Sequence, residues 1–387
     1  MTGGPSTCAG IYVHVPFCLT RCGYCDFNAY AGLGHLATRY AEALKREAEL
    51  AAPAWSTHRI GSVFFGGGTP TTLGPEALAA LLAHLRRVFD VAPDAEITTE
   101  ANPDTVDERV LEGLLGAGFT RLSMGVQSFD PAVLAALERV HGPQSARRAY
   151  AAARAAGFAN VNLDLIYGAH GETLGSWRRT LDEAVAMRPE HLSCYALTIE
   201  PATPLGWKVK AGTVPPPDAD LQAEMYDAAC EALNTTGYRH YEVSNWARPG
   251  FECRHNLGYW QGRPYLGLGA GAHSYREGRR WWNLRPPAGY IGAVERGEHP
   301  VGGDEVLTPE EVRLEATFLR LRTTEGLPAG EVAPAAAAPF LEEGLLTRRN
   351  GHLVLTDRGM FLANDVALAL ADTPAQQPER GALAESF

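Results

Sequence analysis

Short apolar runs alternate with longer segments of helical period from the start of the chain. Gly10–Val15 is apolar and rich in β-branched residues, which predicts a strand, and Leu36–Ala52 spaces its apolar residues at helical intervals. The pair recurs. Ile60–Phe65 predicts a strand ending in Gly66-Gly67-Gly68, and a helix opens at Pro75, whose fixed φ suits a first turn. Glu96–Ala101 predicts a strand and Val106–Gly116 a helix capped by Asp104 or Thr105. Thr120–Val126 leads to helices at Pro131–Leu137 and Gln144–Ala156. Val161–Ile166 precedes a helix at Leu174–Met187, and His191–Leu197 predicts a sixth strand. Strands joined by helical crossovers favour a parallel sheet, and six such units fit a partial (β/α)6 barrel of the α/β class.

After about residue 200 the rhythm breaks. Val214-Pro215-Pro216-Pro217 predicts a rigid spacer, followed by a helix at Asp218–Thr235 and a strand near Tyr238–Val243. An aromatic, Gly-rich stretch then runs to Tyr290. Leu307–Leu321 has helical period, and Leu341–Leu355 reads as helix end, turn and hairpin before a last helix. That order predicts a winged-helix-like module, read as a structural cap because the segment is not strongly basic. The chain is thus expected to divide into a barrel (1–200), a barrel extension (201–300), a C-terminal module (301–371) and a tail (372–387) whose Pro- and Gln-containing polar composition predicts disorder.

Composition narrows the function. The net charge of −11 argues against a general binder of phosphate backbones, so no nucleic-acid partner is expected. No apolar run reaches the length of a membrane span, and no export signal is visible, which predicts a cytoplasmic protein. Seven cysteines without an export signal are expected to be reduced, and free to bind metal.

Three of them do more. Cys18-x3-Cys22-x2-Cys25 follows the first predicted strand, where one loop can turn three thiolates onto one object. A structural zinc would need a fourth ligand, for which His14, Asp26 and Cys8 are candidates. Three thiolates alone suit an iron–sulfur cubane with one iron left open to a chelating ligand. Further polar residues stand at successive strand ends: Gly66–Thr69 after the second, Glu100 on the third, Gln127 on the fourth and Asp164 on the fifth. Singly, a Gly triplet is a tight turn and a buried acid or amide a hydrogen-bonded core residue. Jointly they predict one polar pocket at a barrel mouth.

The cysteine spacing resembles the signature of the radical S-adenosylmethionine (SAM) superfamily. Its setting, IYVHVPFCLTRCGYCDFN, is closer to the oxygen-independent coproporphyrinogen III oxidase family and its heme-chaperone branch, HemW. The resemblance runs from Ile11 to about Asn364. It implies a [4Fe–4S] cluster on Cys18, Cys22 and Cys25. It implies SAM contacts at Tyr12, Gly67, Gly68, Thr69 and Glu100, and a second SAM contact set at Tyr24, Gln127, Arg139 and Asp164. Two departures from the oxidase pattern match the heme-chaperone branch: Phe27 stands where the oxidases carry a fourth cysteine, and only 17 residues precede Cys18.

His255-Asn256-Leu257-Gly258-Tyr259-Trp260 adds a positive sign. Read alone, a His beside Tyr and Trp is more often a packed core residue. The stretch is similar to the HNxxYW motif that the branch associates with heme, an imidazole serving as axial ligand while Tyr259 and Trp260 pack on the porphyrin. His273 and Cys253 rank behind His255 as ligands, and Cys8, Cys194 and Cys230 read as ordinary thiols. The resemblance implies a protein that binds the cluster, SAM and heme and delivers heme to client hemoproteins, respiratory enzymes at the membrane surface among them. It implies a reductant protein, and allows a homodimer. The alternatives are a coproporphyrinogen III oxidase, against which Phe27 stands, and a radical SAM methyltransferase. RNA modification fails on charge.

Overall fold

A computed structural model describes residues 8–371, so the expected disordered tail lies outside the described residues. The described chain parts into two compact units at Pro309/Glu310.

In the first unit six parallel strands occupy the middle of a twelve-stranded sheet: β1 (Cys8–Val15), β2 (Arg59–Gly67), β3 (Val91–Ala101), β4 (Arg121–Gln127), β5 (Val161–Tyr167) and β6 (His191–Ala196), paired in that order. Helical crossovers α1 (Ala37–Trp55), α2 (Pro75–Val88), α3 (Glu108–Ala117), α4 (Pro131–Ala136), α5 (Pro143–Ala156) and α6 (Leu174–Ala186) join them. This is the partial (β/α)6 barrel the alternation predicts. One face of each strand is apolar and lies under the helices: Ile11, Val13 and Val15 on β1, Val63 and Phe65 on β2, Leu122, Met124 and Val126 on β4 are buried. The other face carries polar residues. The α3 helix corrects the expected cap: it starts at Glu108, and Asp107, rather than Asp104 or Thr105, accepts the Val110 N–H at 2.8 Å. The φ of −135° at Asp107 already lies outside the helical region, as an N-cap requires.

The sheet does not stop at the six strands. After α7 (Pro204–Lys210) and α8 (Ala219–Thr235), β7 (Arg239–Glu242) and β8 (Asn245–Ala247) add antiparallel to the β6 edge in the order β6-β8-β7. The short helix α9 (Arg254–Trp260) returns the chain to the opposite edge. There β9 (Tyr265–Leu268) pairs parallel with β1, and β10 (His273–Arg276), β11 (Arg279–Asn283) and β12 (Val301–Val306) continue antiparallel, with α10 (Pro287–Glu295) between the last two. The aromatic, Gly-rich stretch thus forms sheet and helix rather than irregular chain. Glu47 on α1 ties this edge down. It accepts Gly269 N–H at 2.7 Å, Asn283 Nδ2 at 2.5 Å and Tyr290 OH at 2.6 Å.

The second unit opens with α11 (Pro309–Leu321). It contains β13 (Leu327–Pro328), α12 (Pro334–Glu342), the hairpin β14 (Leu346–Arg349) and β15 (His352–Leu355), and helices α13 (Asp357–Phe361) and α14 (Ala363–Ala371). The strands form an antiparallel sheet in the order β13-β15-β14, which matches the expected helix-and-hairpin module. Its core is Val332, Leu345, Leu353, Leu355, Met360, Val366 and Leu370.

Candidate functional site

The cysteine loop leaves the C-terminal end of β1. Cys18, Cys22 and Cys25 are half-buried free thiols, and Cys25 N–H donates to the Cys22 carbonyl at 3.2 Å, folding the last two into one turn. Burial raises the Cys18 and Cys25 thiols, and each also feels the charge of Cys22. The loop is anchored at both ends. The Gly68 and Thr69 amides donate to Val15 and Phe17 carbonyls at 2.8 and 2.7 Å, and Thr69 Oγ1 lies 3.6 Å from Cys18 Sγ. A Cβ on Gly68 would stand 2.6 Å from the Phe17 carbonyl oxygen and 3.0 Å from Cys18 Sγ, so only glycine allows the two loops to approach this closely. At the other end Asn28 donates to the Ala270 and Arg285 carbonyls at 2.9 Å each.

His14 is committed to this anchoring. Its Nε2 meets the Asn28 carbonyl at 3.0 Å and must donate, so Nδ1 accepts from Tyr12 OH at 2.9 Å. That removes His14 as a fourth metal ligand. Cys8 begins β1 while the loop follows its end, about 23 Å away at about 3.3 Å per residue. The donor set is therefore the three loop thiols, with exposed Asp26 beside them. It fits a cluster that leaves one metal open better than a closed four-ligand zinc site.

The other predicted residues divide into two groups. Tyr12, Glu100 and Asp164 line one cavity of 170 Å³ inside the arc of strands. All six strands contribute to its wall, from Tyr12 on β1 to Ser193 and Tyr195 on β6. Glu100 accepts the Gly67 N–H at 3.1 Å, and burial together with the charge of Asp164 pushes its carboxyl up to about 8. Asp164, also raised by burial, accepts from Ser123 and Asn162 at 2.9 Å. Tyr24, Gln127 and Arg139 gather instead beside the cysteines. Arg139 donates to Cys22 Sγ at 3.3 Å and to the Gly125 carbonyl at 3.0 Å, so the guanidinium expected on SAM touches a cluster thiol. Tyr24 packs against the apolar cluster of Val133, Leu137, Ile166 and Leu205. Gln127 has φ of 67°, rare for a residue with a side chain, and follows a break in the β4–β5 register.

The HNxxYW stretch is helix α9, which packs on β1 and β2 with His255 turned inward. The imidazole is 3% exposed. Its Nδ1 lies 2.9 Å from Ser62 Oγ and its Nε2 2.9 Å from Tyr259 OH, and the ring stacks on Phe64 with centroids 5.2 Å apart. Burial pushes His255 down to about 3, so the ring is neutral. Gly10 gives it room, since a Cβ there would lie 3.1 Å from the ring. Glu96 holds the helix start, accepting Arg254 N–H at 3.0 Å, His255 N–H at 3.2 Å and Cys253 Sγ at 3.5 Å. Trp260 bonds Glu242, and Cys253 is fully buried. His273, by contrast, is exposed on β10 and stacks on Trp282 at 5.7 Å.

Sequence reasoning passed over Glu96 and Arg121, and read His14 only as a metal ligand. Arg121 shared a readable signal: on a strand it lies two residues before Ser123 and so on the same, inward face.

The signature of the radical SAM superfamily matches residues 12–184, and that of the HemN C-terminal domain matches residues 307–362. Mycobacterium tuberculosis has a relative named heme chaperone HemW, 45% identical over 93% of this chain and 94% of that protein. The chain belongs to the HemW family. A Bacillus subtilis member is 35% identical over 92% of this chain and 97% of its own length. A mouse relative, radical S-adenosyl methionine domain-containing protein 1, mitochondrial, is 41% identical, covering 69% of this chain and 61% of that protein. Among solved structures, Escherichia coli coproporphyrinogen III oxidase HemN superposes with a TM-score of 0.81 over 95% of this chain and 91% of that one, at 24% identity, which establishes the shared fold. Membership of this family implies a [4Fe–4S] cluster and SAM, and the three-thiol loop beside a polar cavity fits both. No helix among the described residues is long and apolar enough to cross a membrane.

Proposed function

We propose that the protein is a heme chaperone: it binds a [4Fe–4S] cluster, SAM and heme, and passes heme to client hemoproteins. The observation that carries this is the similarity to curated heme chaperones along 93% of the chain, with no fourth cysteine at Phe27. When bound, the cluster would supply an electron to the SAM sulfonium. The chain's own part is positional. Cys18, Cys22 and Cys25 would hold the cluster, and Arg139 would direct a positive hydrogen bond at the Cys22 sulfur, favouring the more negative, reduced state. Gly67, Gly68 and Thr69 would give SAM its backbone side, and Tyr12 and Glu100 would meet it from the cavity wall. Of the second SAM contact set, Tyr24, Gln127 and Arg139 would act beside the cysteines and Asp164 from the cavity.

For heme, His255 as axial ligand requires Nε2 to give up Tyr259 OH, or Nδ1 to give up Ser62. His273 needs no such release, and its exposure beside Trp282 favours it as a second reading of the ligand. The reading extends to a cytoplasmic protein, peripheral at the membrane, served by a reductant protein, with respiratory enzymes as clients and dimerisation as a mode of regulation. Heme titration of wild type, His255→Ala and His273→Ala tests it. A Soret shift in the wild type that one substitution alters names the ligand; absence of any Soret shift with folded, cluster-loaded protein overturns the heme reading.

A further inference from the structure

Arg121 lines the barrel interior, and none of the proposed cofactor contacts uses it. It is 2% exposed, yet its guanidinium donates no hydrogen bond among the described residues, and Nε is buried without a partner. A buried cation without hydrogen bonds is costly unless something completes it. Its neighbours do not. Glu96 gives its oxygens to the start of α9, and Asp164 accepts from Ser123 and Asn162. They balance the charge of Arg121 through space and leave its donors free. Those donors line the 170 Å³ cavity, whose floor is His255, Asn256 and Tyr259 of α9.

The cavity's size limits the occupant. Pockets that enclose whole drug-sized ligands run to roughly 300–1,000 Å³, so this one admits an arm of a ligand but not a macrocycle. A planar fork of free N–H groups selects an oxyanion that can accept two bonds side by side. We propose that the barrel interior is a carboxylate-binding site in which Arg121 receives a propionate-sized arm, with Asn256 beside it at the floor. The site stands whether or not heme is the cargo. Its carboxylate comes either from a side arm of a tetrapyrrole held outside the cavity or from a small free carboxylate.

Sodium propionate, with propionamide as the neutral isostere, is the probe, followed by nuclear magnetic resonance line broadening on the full-length, cluster-loaded protein. Propionate should bind and propionamide should not. Arg121→Lys, which keeps the charge but not the fork, should weaken propionate by roughly ten- to a hundredfold, the scale of a lost charged hydrogen bond. Asn256→Asp leaves Arg121 in place and adds a competing carboxylate to the same cavity, so it should also abolish binding. This second variant keeps the test open if Arg121→Lys misfolds. Equal binding of propionate and propionamide, no propionate binding, or propionate binding indifferent to both variants would overturn the site. The source follows from comparing heme with its dimethyl ester. Weaker ester binding that Arg121→Lys erases assigns the arm to the tetrapyrrole, and equal binding alongside Arg121-dependent propionate assigns it to a small carboxylate.

Discussion

Gly68 sets the distance between the two loops that meet at the candidate cluster. Because a Cβ there would press on the Phe17 carbonyl and Cys18 Sγ, Gly68→Ala should displace Cys18 and lower iron loading after anaerobic reconstitution, while Gly116→Ala, in open space, should not. Iron and sulfide analysis reads the difference. Glu100 makes the second prediction at this scale. Buried, and pushed up to about 8, it is largely protonated at neutral pH in the absence of ligand. A cationic amino group favours the ionised form, so SAM affinity should rise with pH through about 8 and lose that dependence in Glu100→Gln, as isothermal calorimetry can follow. The three cysteines were legible residue by residue, because spacing within one loop is a local property. Arg139 was legible only as a site residue. Its contact with Cys22 joins positions 117 apart and follows from how α4 returns to the loop, which spacing alone does not encode.

At the scale of elements, α9 connects the cavity to the heme question. Its start hangs on the single carboxylate of Glu96, four residues before Glu100 on the same strand. Glu96→Gln should loosen the helix and destabilise the first unit by about 1–3 kcal/mol, since two buried amides lose a charged acceptor. Denaturant unfolding measures this. A hydrogen-exchange map should show new opening confined to 253–260. Unchanged stability would mean that α9 is held by its apolar packing on β1 and β2 instead. The alternation of strands and helices was plain in the sequence because hydrophobic period is local, and each predicted barrel strand is present within a few residues. Of the strands after residue 238 only β7, expected near Tyr238–Val243, was plain, and β8 to β12 were not. They are short, mix Gly with aromatics, and are fixed by pairing with β6 and β1 rather than by their own pattern. The same holds for His255. The motif marks it, but only the register of Gly10 and Ser62 puts its ring inside the sheet.

The whole molecule combines a polar barrel interior with a sheet extended at both edges, and Glu47 joins α1 to one of those extensions. Burial pushes Glu47 up to about 7, and Glu172 and Glu242 are raised likewise to about 7. The folded chain holds these protons more tightly than the unfolded chain. Stability from them is therefore present in full near pH 4.5 and is lost as pH rises towards about 7. Thermal melting between pH 5 and 8 should show this decline, and Glu47→Gln should make it shallower. An unchanged slope would assign the effect to other raised acids, Glu172, Glu242 and Glu100.

Heme transfer to an acceptor separates a chaperone from an oxidase. Cluster-loaded protein carrying one heme is mixed anaerobically with an apo-hemoprotein, and the Soret bands of donor and acceptor are followed with SAM present. A chaperone should give a donor band that falls as the acceptor's native band rises, faster than free heme delivers it in the presence of a heme scavenger. A donor that keeps its heme, in a preparation that instead converts coproporphyrinogen III to protoporphyrinogen on adding SAM and reductant, would contradict the account and make the protein an oxidase despite Phe27.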